Sequence, residues 1–190
     1  MNKNIGFAIT GSFCTHQTIL TEMQNLTQKG YDLLPIVTDT VVETDTRFGT
    51  SKDFLEQVEK ICGKKPITKI TEAEPLGPKN MIDLLVIAPC TGNTLAKLAN
   101  CIIDNAVTMA TKSLLRNNKP IVIGLSSNDS LGLNLHNIAT LLNTKNFYFV
   151  PFTQDDYTKK PKSLVADWSL ISDTVQKALM NEQIQPLLKK

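Results

Sequence analysis

The chain has 190 residues, of which 42% are hydrophobic and 20% are charged, and its formal net charge is +2. Such a composition is typical of one soluble globular domain. The small net charge gives no reason to expect nucleic acid or a membrane surface as a partner. Every apolar run is too short for a signal-peptide core or a membrane span, so we expect a cytoplasmic protein.

The cysteines are scattered along the chain, at Cys14, Cys62, Cys90 and Cys101. They form no CxxC pair and no cluster with histidine at zinc-binding spacing. We therefore expect reduced thiols that pack as small apolar side chains, and no structural metal.

Short apolar runs alternate with helical patterns along the chain. The runs predict strands at residues 5–9, 33–37, 67–70, 84–88, 121–125 and 147–150. The helical patterns cover residues 14–29, 52–62, 94–115 and 133–142, and a C-terminal helix covers about residues 168–185, with its periodic part ending near residue 180. Polar or proline-rich loops are expected at residues 38–51, 72–79 and 153–162.

This alternation predicts an α/β fold of the Rossmann or flavodoxin-like type, with a three-layer, doubly wound parallel sheet. We expect a single domain over residues 1–190, because no linker or repeat divides the chain. Such sheets bind ligands beyond the carboxyl ends of their strands, where the order of connections reverses. The strands at residues 5–9 and 84–88 should flank that point.

A small polar turn, with Gly11, Ser12 and Phe13, joins the first strand to the first helix. Glycine lets the backbone approach a ligand closely, and the free amides of a helix start favour an anion such as phosphate. The alternative is a plain turn in which Ser12 or Thr15 caps the helix. The turn has neither GxGxxG nor GxxxxGK[ST], which argues against a dinucleotide fingerprint or a P-loop.

Three further strand ends are polar. After the strand at residues 84–88, threonine and asparagine side chains are clustered where a ring with polar edges could be bound, although one of them could simply cap the next helix. Thr38 follows the second strand, and Ser126 and Ser127 follow the strand at residues 121–125. The candidate cofactor-binding residues are Gly11, Ser12, Phe13, Thr38, Pro89, Thr91, Gly92, Asn93, Thr94, Ser126 and Ser127.

Residues 9–12 and 89–94, followed by Lys97, Asp104 and Asn105, resemble the flavoprotein family of homo-oligomeric flavin-containing cysteine decarboxylases and their prenyltransferase relatives. The resemblance implies that the first turn holds the phosphate of FMN. It also implies a homo-oligomer in which the loop at residues 89–94 contacts flavin from the side of a neighbouring subunit.

Within that family, several segments are similar to the subfamily of dipicolinate synthase B subunits. They are residues 73–78, 89–94, 115–117, 145–152, 154–156, 160–164 and 183–186. This resemblance implies a part in the oxidation of dihydrodipicolinate to dipicolinate during sporulation, in the cytoplasm of the mother cell. The partner would be the A subunit of dipicolinate synthase, expected to bind NAD(P), and the substrate would be a small dicarboxylate.

The chain also departs from the decarboxylase pattern. That family carries a histidine in the loop before the fourth main strand, and residues 72–79 contain none. The family's Met-Asn substrate clamp corresponds to residues 129–134, which lack methionine. Cysteine decarboxylation is therefore disfavoured, but a decarboxylase, a prenyltransferase-like enzyme and a non-catalytic scaffold subunit remain alternatives.

Asn93 and Glu74 are the candidate catalytic residues. Aromatisation of a ring requires a positioned base, and Glu74 or Asp129 could accept the proton. A dicarboxylate also needs cationic partners. The candidates for this role are Lys159, Lys160, Lys162, Arg47 and Arg116, although each could equally be a solvated surface charge.

Overall fold

The computed structural model describes residues 3–189. Its strands are β1 (Asn4–Ile9), β2 (Asp32–Val37), β3 (Leu84–Cys90), β4 (Ile121–Ser127), β5 (Phe147–Phe149), β6 (Phe152–Thr153) and β7 (Leu164–Ala166). Its α-helices are α1 (His16–Gln28), α2 (Asp39–Glu43), α3 (Ser51–Cys62), α4 (Ile70–Ala73), α5 (Gly92–Ala99), α6 (Ala106–Leu115), α7 (Leu135–Leu142) and α8 (Ile171–Leu179). Short 3-10 turns lie at Phe13–Thr15, Glu74–Leu76 and Trp168–Leu170.

The sheet is parallel from β2 through β1, β3 and β4 to β5. The chain passes from β1 outward to β2 and then crosses back to β3, so the connection order reverses between β1 and β3. This is the position where open α/β sheets bind ligands. The α/β fold predicted from the sequence is confirmed.

Helices cover both faces of the sheet and make three layers. On one face, Ile19 of α1 and Val175 of α8 lie in one hydrophobic core with Phe7 of β1. On the other, Ala110 of α6 packs in a core with Ala8 of β1. All seven residues of β3 are buried. Uninterrupted apolar strands are expected where both faces of a parallel sheet are covered.

One feature of the sheet was not predicted. The last two residues of β4 leave the parallel ladder and pair antiparallel with β7, which in turn pairs with β6. These two strands have three and two residues, so they are too short to show an alternating pattern in the sequence. They lie at either end of the loop predicted at residues 153–162.

The helical patterns predicted over residues 94–115 correspond to two helices, α5 and α6, with a break between them that was not predicted. Cys101 has a φ of 56° in the break. The side chain of Asn105 accepts a hydrogen bond from the amide of Thr108 and starts the second helix. This capping box ends one helical pattern and begins another without a proline or glycine to mark the boundary.

Four other boundaries differ from expectation. The loop predicted at residues 72–79 contains the end of α4 and a 3-10 turn, because Pro75 at a first helical position needs no amide partner. The strand predicted at residues 67–70 is a single bridge between Ile67 and Ile36. The loop after β2 contains α2, and the C-terminal helix stops at Leu179. Of the helices between residues 3 and 189, none has the length and apolarity to cross a bilayer.

Candidate functional site

Thr10 joins the two turns at the reversal point of the sheet. Its side chain is buried, and its Oγ1 donates a 2.7 Å hydrogen bond to the carbonyl oxygen of Pro89. The same oxygen accepts a 3.1 Å hydrogen bond from the amide of Thr91. The turns after β1 and β3 therefore lie side by side at the carboxyl edge of the sheet.

A cleft of ≈ 280 Å³ opens beside these joined turns. Its walls come from the residues that follow β1, β2 and β3, from α2 and α5, and from the start of α6. The lining residues are Thr10, Gly11, Thr38, Asp39, Thr40, Thr91, Asn93, Thr94, Lys97, Asp104 and Asn105. Small-molecule sites typically span about 300–1,000 Å³, so the cleft of one chain lies just below that range.

Thr38 places an unsatisfied hydroxyl at the wall of the cleft. Its side chain is 7% exposed, and within residues 3–189 its Oγ1 has no hydrogen-bond partner. A buried hydroxyl without a partner costs about 1–3 kcal/mol. This oxygen has almost no accessible surface, so a ligand in the cleft could supply the missing partner only if the Thr38 side chain turned toward it.

The first turn of α5 both caps its own helix and lines the cleft, which are the two alternatives that the sequence left open. Thr91 is the N-cap, since its Oγ1 accepts a hydrogen bond from the amide of Thr94. Asn93 is exposed and lines the cleft, and Lys97 follows one helical turn later on the same face. The Nζ of Lys97 lies 2.6 Å from Oδ2 of Asp104.

Gly92 and Ser127 lie together on the far side of that turn from the cleft. A Cβ on Gly92 would lie 2.6 Å from Ser127 Oγ and 3.1 Å from Asp129 Oδ1. Asp129 accepts hydrogen bonds from Ser127 and from Asn134, at 2.8 and 2.7 Å. These bonds, the one from Asn134 first, lower the pKa of Asp129. An ionised carboxylate therefore stands beside the start of α5.

The turn after β1 is not a capped helix start. Ser12 and Thr15 occupy N-cap positions, and neither side chain makes a capping hydrogen bond. Instead, Ser12 Oγ lies 2.8 Å from Ser126 Oγ, which ties this turn to the end of β4. The capping alternative is thus wrong for both residues. Within this turn the amides of Ser12 and Thr15 already donate to the carbonyl oxygens of Thr10 and Ser12, at 2.9 and 3.1 Å, so a ligand could use only the other amides.

Phe13 lies on the other side of this turn, at a second cavity of ≈ 300 Å³ that also contacts α1, α3 and the loop before α3. His16 lines the same cavity and is stacked on Phe54 with ring centroids 4.3 Å apart. Its Nε2 lies 2.9 Å from the carbonyl oxygen of Thr10. Burial lowers the pKa of His16. We therefore treat the imidazole as neutral, with Nε2–H donating to Thr10.

Glu74 is not brought to the cleft. It is exposed, and its carbonyl oxygen accepts a 2.7 Å hydrogen bond from Ser113 near the end of α6. The other end of that helix, at Asn105, lines the cleft. A helix of ten residues is about 15 Å long, so Glu74 lies well away from the site within one chain.

The candidate cations are also dispersed. Lys159, Lys160 and Lys162 lie on the loop between β6 and β7, where Lys160 pairs with Asp155. Arg116 ends α6 at an apolar groove remote from the cleft. The sequence analysis missed Thr40 as a cleft residue. Only its position shortly after a predicted strand could have indicated it.

The family model named Flavoprotein matches residues 1–180. The chain belongs to the Flavoprotein family. The motifs around Gly11 and Thr91 had indicated this family, and the match confirms it.

Within this family, the chain is most usefully compared with three individual proteins. The chain is 47% identical over 186 residues to the dipicolinate synthase B subunit from Bacillus subtilis (strain 168), covering 98% of this chain and 93% of the relative. It is 44% identical to the crystal structure of the dipicolinate synthase B subunit from Bacillus halodurans C, with a TM-score of 0.91 and coverage of 100% and 99%. The FMN-dependent cysteine decarboxylase SpaF shares the fold, with a TM-score of 0.71, 18% identity and coverage of 94% and 97%.

Proposed function

We propose that this chain is the B subunit of a dipicolinate synthase that binds FMN in the cleft beside Thr10. It would act in the mother-cell cytoplasm of a sporulating bacterium, together with an A subunit that carries NAD(P). The observation that carries the proposal is the cleft at the reversal point, whose lining is rich in hydroxyl and amide side chains. The 47% identity to a dipicolinate synthase B subunit supports the choice of reaction.

The phosphate of FMN belongs at the turn after β1. The amides of Gly11 and Phe13 are close to a helix start without side-chain caps, whereas the amide of Ser12 is already bonded to the carbonyl oxygen of Thr10. The start of α5, in contrast, is capped by Thr91 and stands beside the carboxylate of Asp129. A second anion is repelled there, so the first turn is the better phosphate site.

The ring of FMN belongs beside Thr91, Asn93 and Thr94, within reach of the Thr38 hydroxyl. Hydroxyl and amide groups can bind its carbonyl and nitrogen edges. The cleft of one chain is small and open, so we propose that a neighbouring copy covers the rest of the cofactor. This gives a homo-oligomer in which each site is completed at a contact between subunits.

The reaction removes a hydride and a proton from dihydrodipicolinate and leaves an aromatic ring. Bound FMN supplies an acceptor for two electrons. The role of this chain is to hold the substrate ring against the cofactor, to exclude water and to orient the proton that leaves. Asn93 is the residue at the cleft whose exposed amide can orient the substrate.

A reconstituted assay tests the proposal. The chain is purified separately from the A subunit, the two are mixed with dihydrodipicolinate and supplied with FMN, NAD or NADP, and dipicolinate is measured by its ultraviolet absorbance. We expect full output only when both chains and FMN are present. Equal output in the absence of this chain would contradict a catalytic role, and release of carbon dioxide from a peptide with C-terminal cysteine would favour the decarboxylase alternative.

A further inference from the structure

The charges of the cleft are unevenly distributed. Among the described residues that line it, Lys97 carries the one positive charge, and Asp39 and Asp104 carry two negative charges. Asp39 begins α2, whereas Lys97 and Asp104 form an ion pair beside α5. Asp39 adds a fixed negative charge to the cleft, and the pair of Lys97 and Asp104 sets the charge next to the polar side chains of α5.

Asp104 is held firmly against Lys97. Its Oδ2 lies 2.6 Å from the Nζ of Lys97, and its Oδ1 accepts a 3.0 Å hydrogen bond from Asn105 Nδ2. Asn105 is in turn fixed by capping α6, because its Oδ1 accepts from the amide of Thr108 at 3.0 Å. The carboxylate is thus anchored to the start of a helix and does not move freely with the lysine.

Lys97 also lies where the proposed ring would be bound. It follows Thr94 by three residues and Asn93 by four, so these side chains share one face of α5. All three line the cleft. The side chain of Lys97 is only 24% exposed, which limits screening of its charge by water.

A cation beside a ring stabilises the form of that ring that carries more negative charge, and a carboxylate next to the cation cancels part of this effect. Reduction of a flavin adds electron density to the ring, and protein charges near the ring tune its potential. We propose that Lys97 raises the reduction potential of FMN bound in the cleft and that Asp104 limits the increase. This inference rests on the proposed binding of FMN.

An ion pair with only a structural role predicts something different. Exposed pairs contribute little to stability, and removing either partner weakens the same contact. Lys97→Met and Asp104→Asn would then shift the potential of bound FMN in the same direction. If the pair tunes the cofactor, the two substitutions shift this potential in opposite directions, and a loss of stability does not produce that pattern.

The test is the midpoint potential of FMN bound to the full chain, measured by dye-coupled reduction. We expect Lys97→Met to lower the potential and Asp104→Asn to raise it, each by roughly a tenfold change in the ratio of the oxidised and reduced Kd values, or about 30 mV for two electrons. Lys97→Arg keeps the charge and should stay close to wild type. Lys177→Met breaks the exposed pair between Lys177 on α8 and Glu182 beyond the end of that helix; it is the matched control and should change nothing.

The outcomes separate this inference from the proposed function. Failure of the wild-type chain to bind FMN overturns both. Binding of FMN with potentials that do not move, or that move in the same direction in Lys97→Met and Asp104→Asn, overturns only the role of Lys97. If Lys97→Met does not bind FMN, the midpoint potential of Asp104→Asn is the test. An unchanged or lowered potential in that variant overturns the inference.

Discussion

The hydroxyl of Thr10 donates a 2.7 Å hydrogen bond to the carbonyl oxygen of Pro89, 79 residues further along the chain. It also accepts from the amide of Thr91, so one side chain fixes the turn after β1 against the turn after β3. The carbonyl oxygen of Thr10 is held from the other side by His16. The geometry of the cleft therefore depends on a residue that lies beneath it.

Replacing Thr10 with valine should weaken both the fold and the cleft. The substitution leaves the buried carbonyl of Pro89 and the amide of Thr91 without partners, at a cost of about 1–3 kcal/mol in the free energy of unfolding. FMN affinity should fall as well, because the turns after β1 and β3 are no longer held side by side by these two hydrogen bonds. Urea unfolding and fluorescence titration with FMN measure the two effects.

Thr111→Val is the matched control for Thr10→Val. Thr111 is equally buried, but its hydroxyl donates only to the carbonyl of Val107 in its own helix. It should cost less stability and leave FMN affinity unchanged. Equal behaviour of the two variants would show that the bonds of Thr10 do not shape the site.

Replacing Thr38 with valine should separate stability from binding. The Thr38 hydroxyl is buried without a partner, so its removal should make the protein more stable by about 1–3 kcal/mol. FMN affinity should fall about tenfold, equivalent to about 1.4 kcal/mol, because the ligand loses a hydrogen bond. Thermal unfolding with and without FMN reports both quantities.

Thr174→Val provides the contrast for Thr38→Val. Thr174 is fully buried, and its hydroxyl donates a 2.7 Å hydrogen bond to the carbonyl of Leu170. This control should lose stability and keep its affinity for FMN. A Thr38→Val protein that binds FMN as well as wild type would remove the evidence that the hydroxyl faces a ligand.

Gly77 should be far less tolerant of alanine than Gly6. A Cβ at Gly77 would lie 1.9 Å from the backbone oxygen of Ser113, and a helix backbone cannot move aside locally. A Cβ at Gly6 would instead meet the flexible ends of Ile82 and Leu85, at 2.5 and 2.9 Å. Overpacking typically costs about 1–3 kcal/mol, so we expect Gly6→Ala within that range and Gly77→Ala above it. Equal urea midpoints for the two variants would contradict the close packing of the 3-10 turn on α6.

The burial of His16 should make stability depend on pH. Burial lowers its pKa from 6.5, so the unfolded chain binds the proton more tightly than the folded chain. The stability contributed by neutral His16 is complete above pH 6.5 and is lost as the pH falls from there through the pKa of the folded state. Urea unfolding between about pH 5 and 8 measures this change.

Two histidine variants identify the source of this pH dependence. In His16→Gln the slope over the window should flatten, because no buried imidazole remains to titrate. His136→Gln removes the exposed histidine on α7 and serves as the control. A slope that persists in His16→Gln would assign the effect to other groups.

The sequence predicted the strands and the polar ends that form the cleft. Continuous apolar runs, such as the one in β3, mark strands covered on both faces, and parallel strands bring their ends to one edge. The meeting of Gly11 with Thr91 follows from that rule alone. The resemblance to the flavoprotein family was carried by the same two turns. The match of the Flavoprotein family model agrees with that resemblance.

Other features depend on contacts that no local pattern records. The two bonds of Thr10 require a particular register between strands about 80 residues apart. The Thr38 hydroxyl has no hydrogen-bond partner among the described residues, and this depends on every side chain and backbone group around it rather than on the local sequence. Glu74 was suggested by its position in a loop, but the packing of that loop against Ser113 holds it at the other end of α6 from the cleft.

A crystal structure of the chain grown with saturating FMN is the most direct measurement. We expect the phosphate within hydrogen-bonding distance of the amides of Gly11 and Phe13, and the ring against Thr91 and Asn93 with the Thr38 hydroxyl at its edge. FMN bound at another surface, or a cleft that stays without FMN at saturation while the chain is folded, would contradict this account.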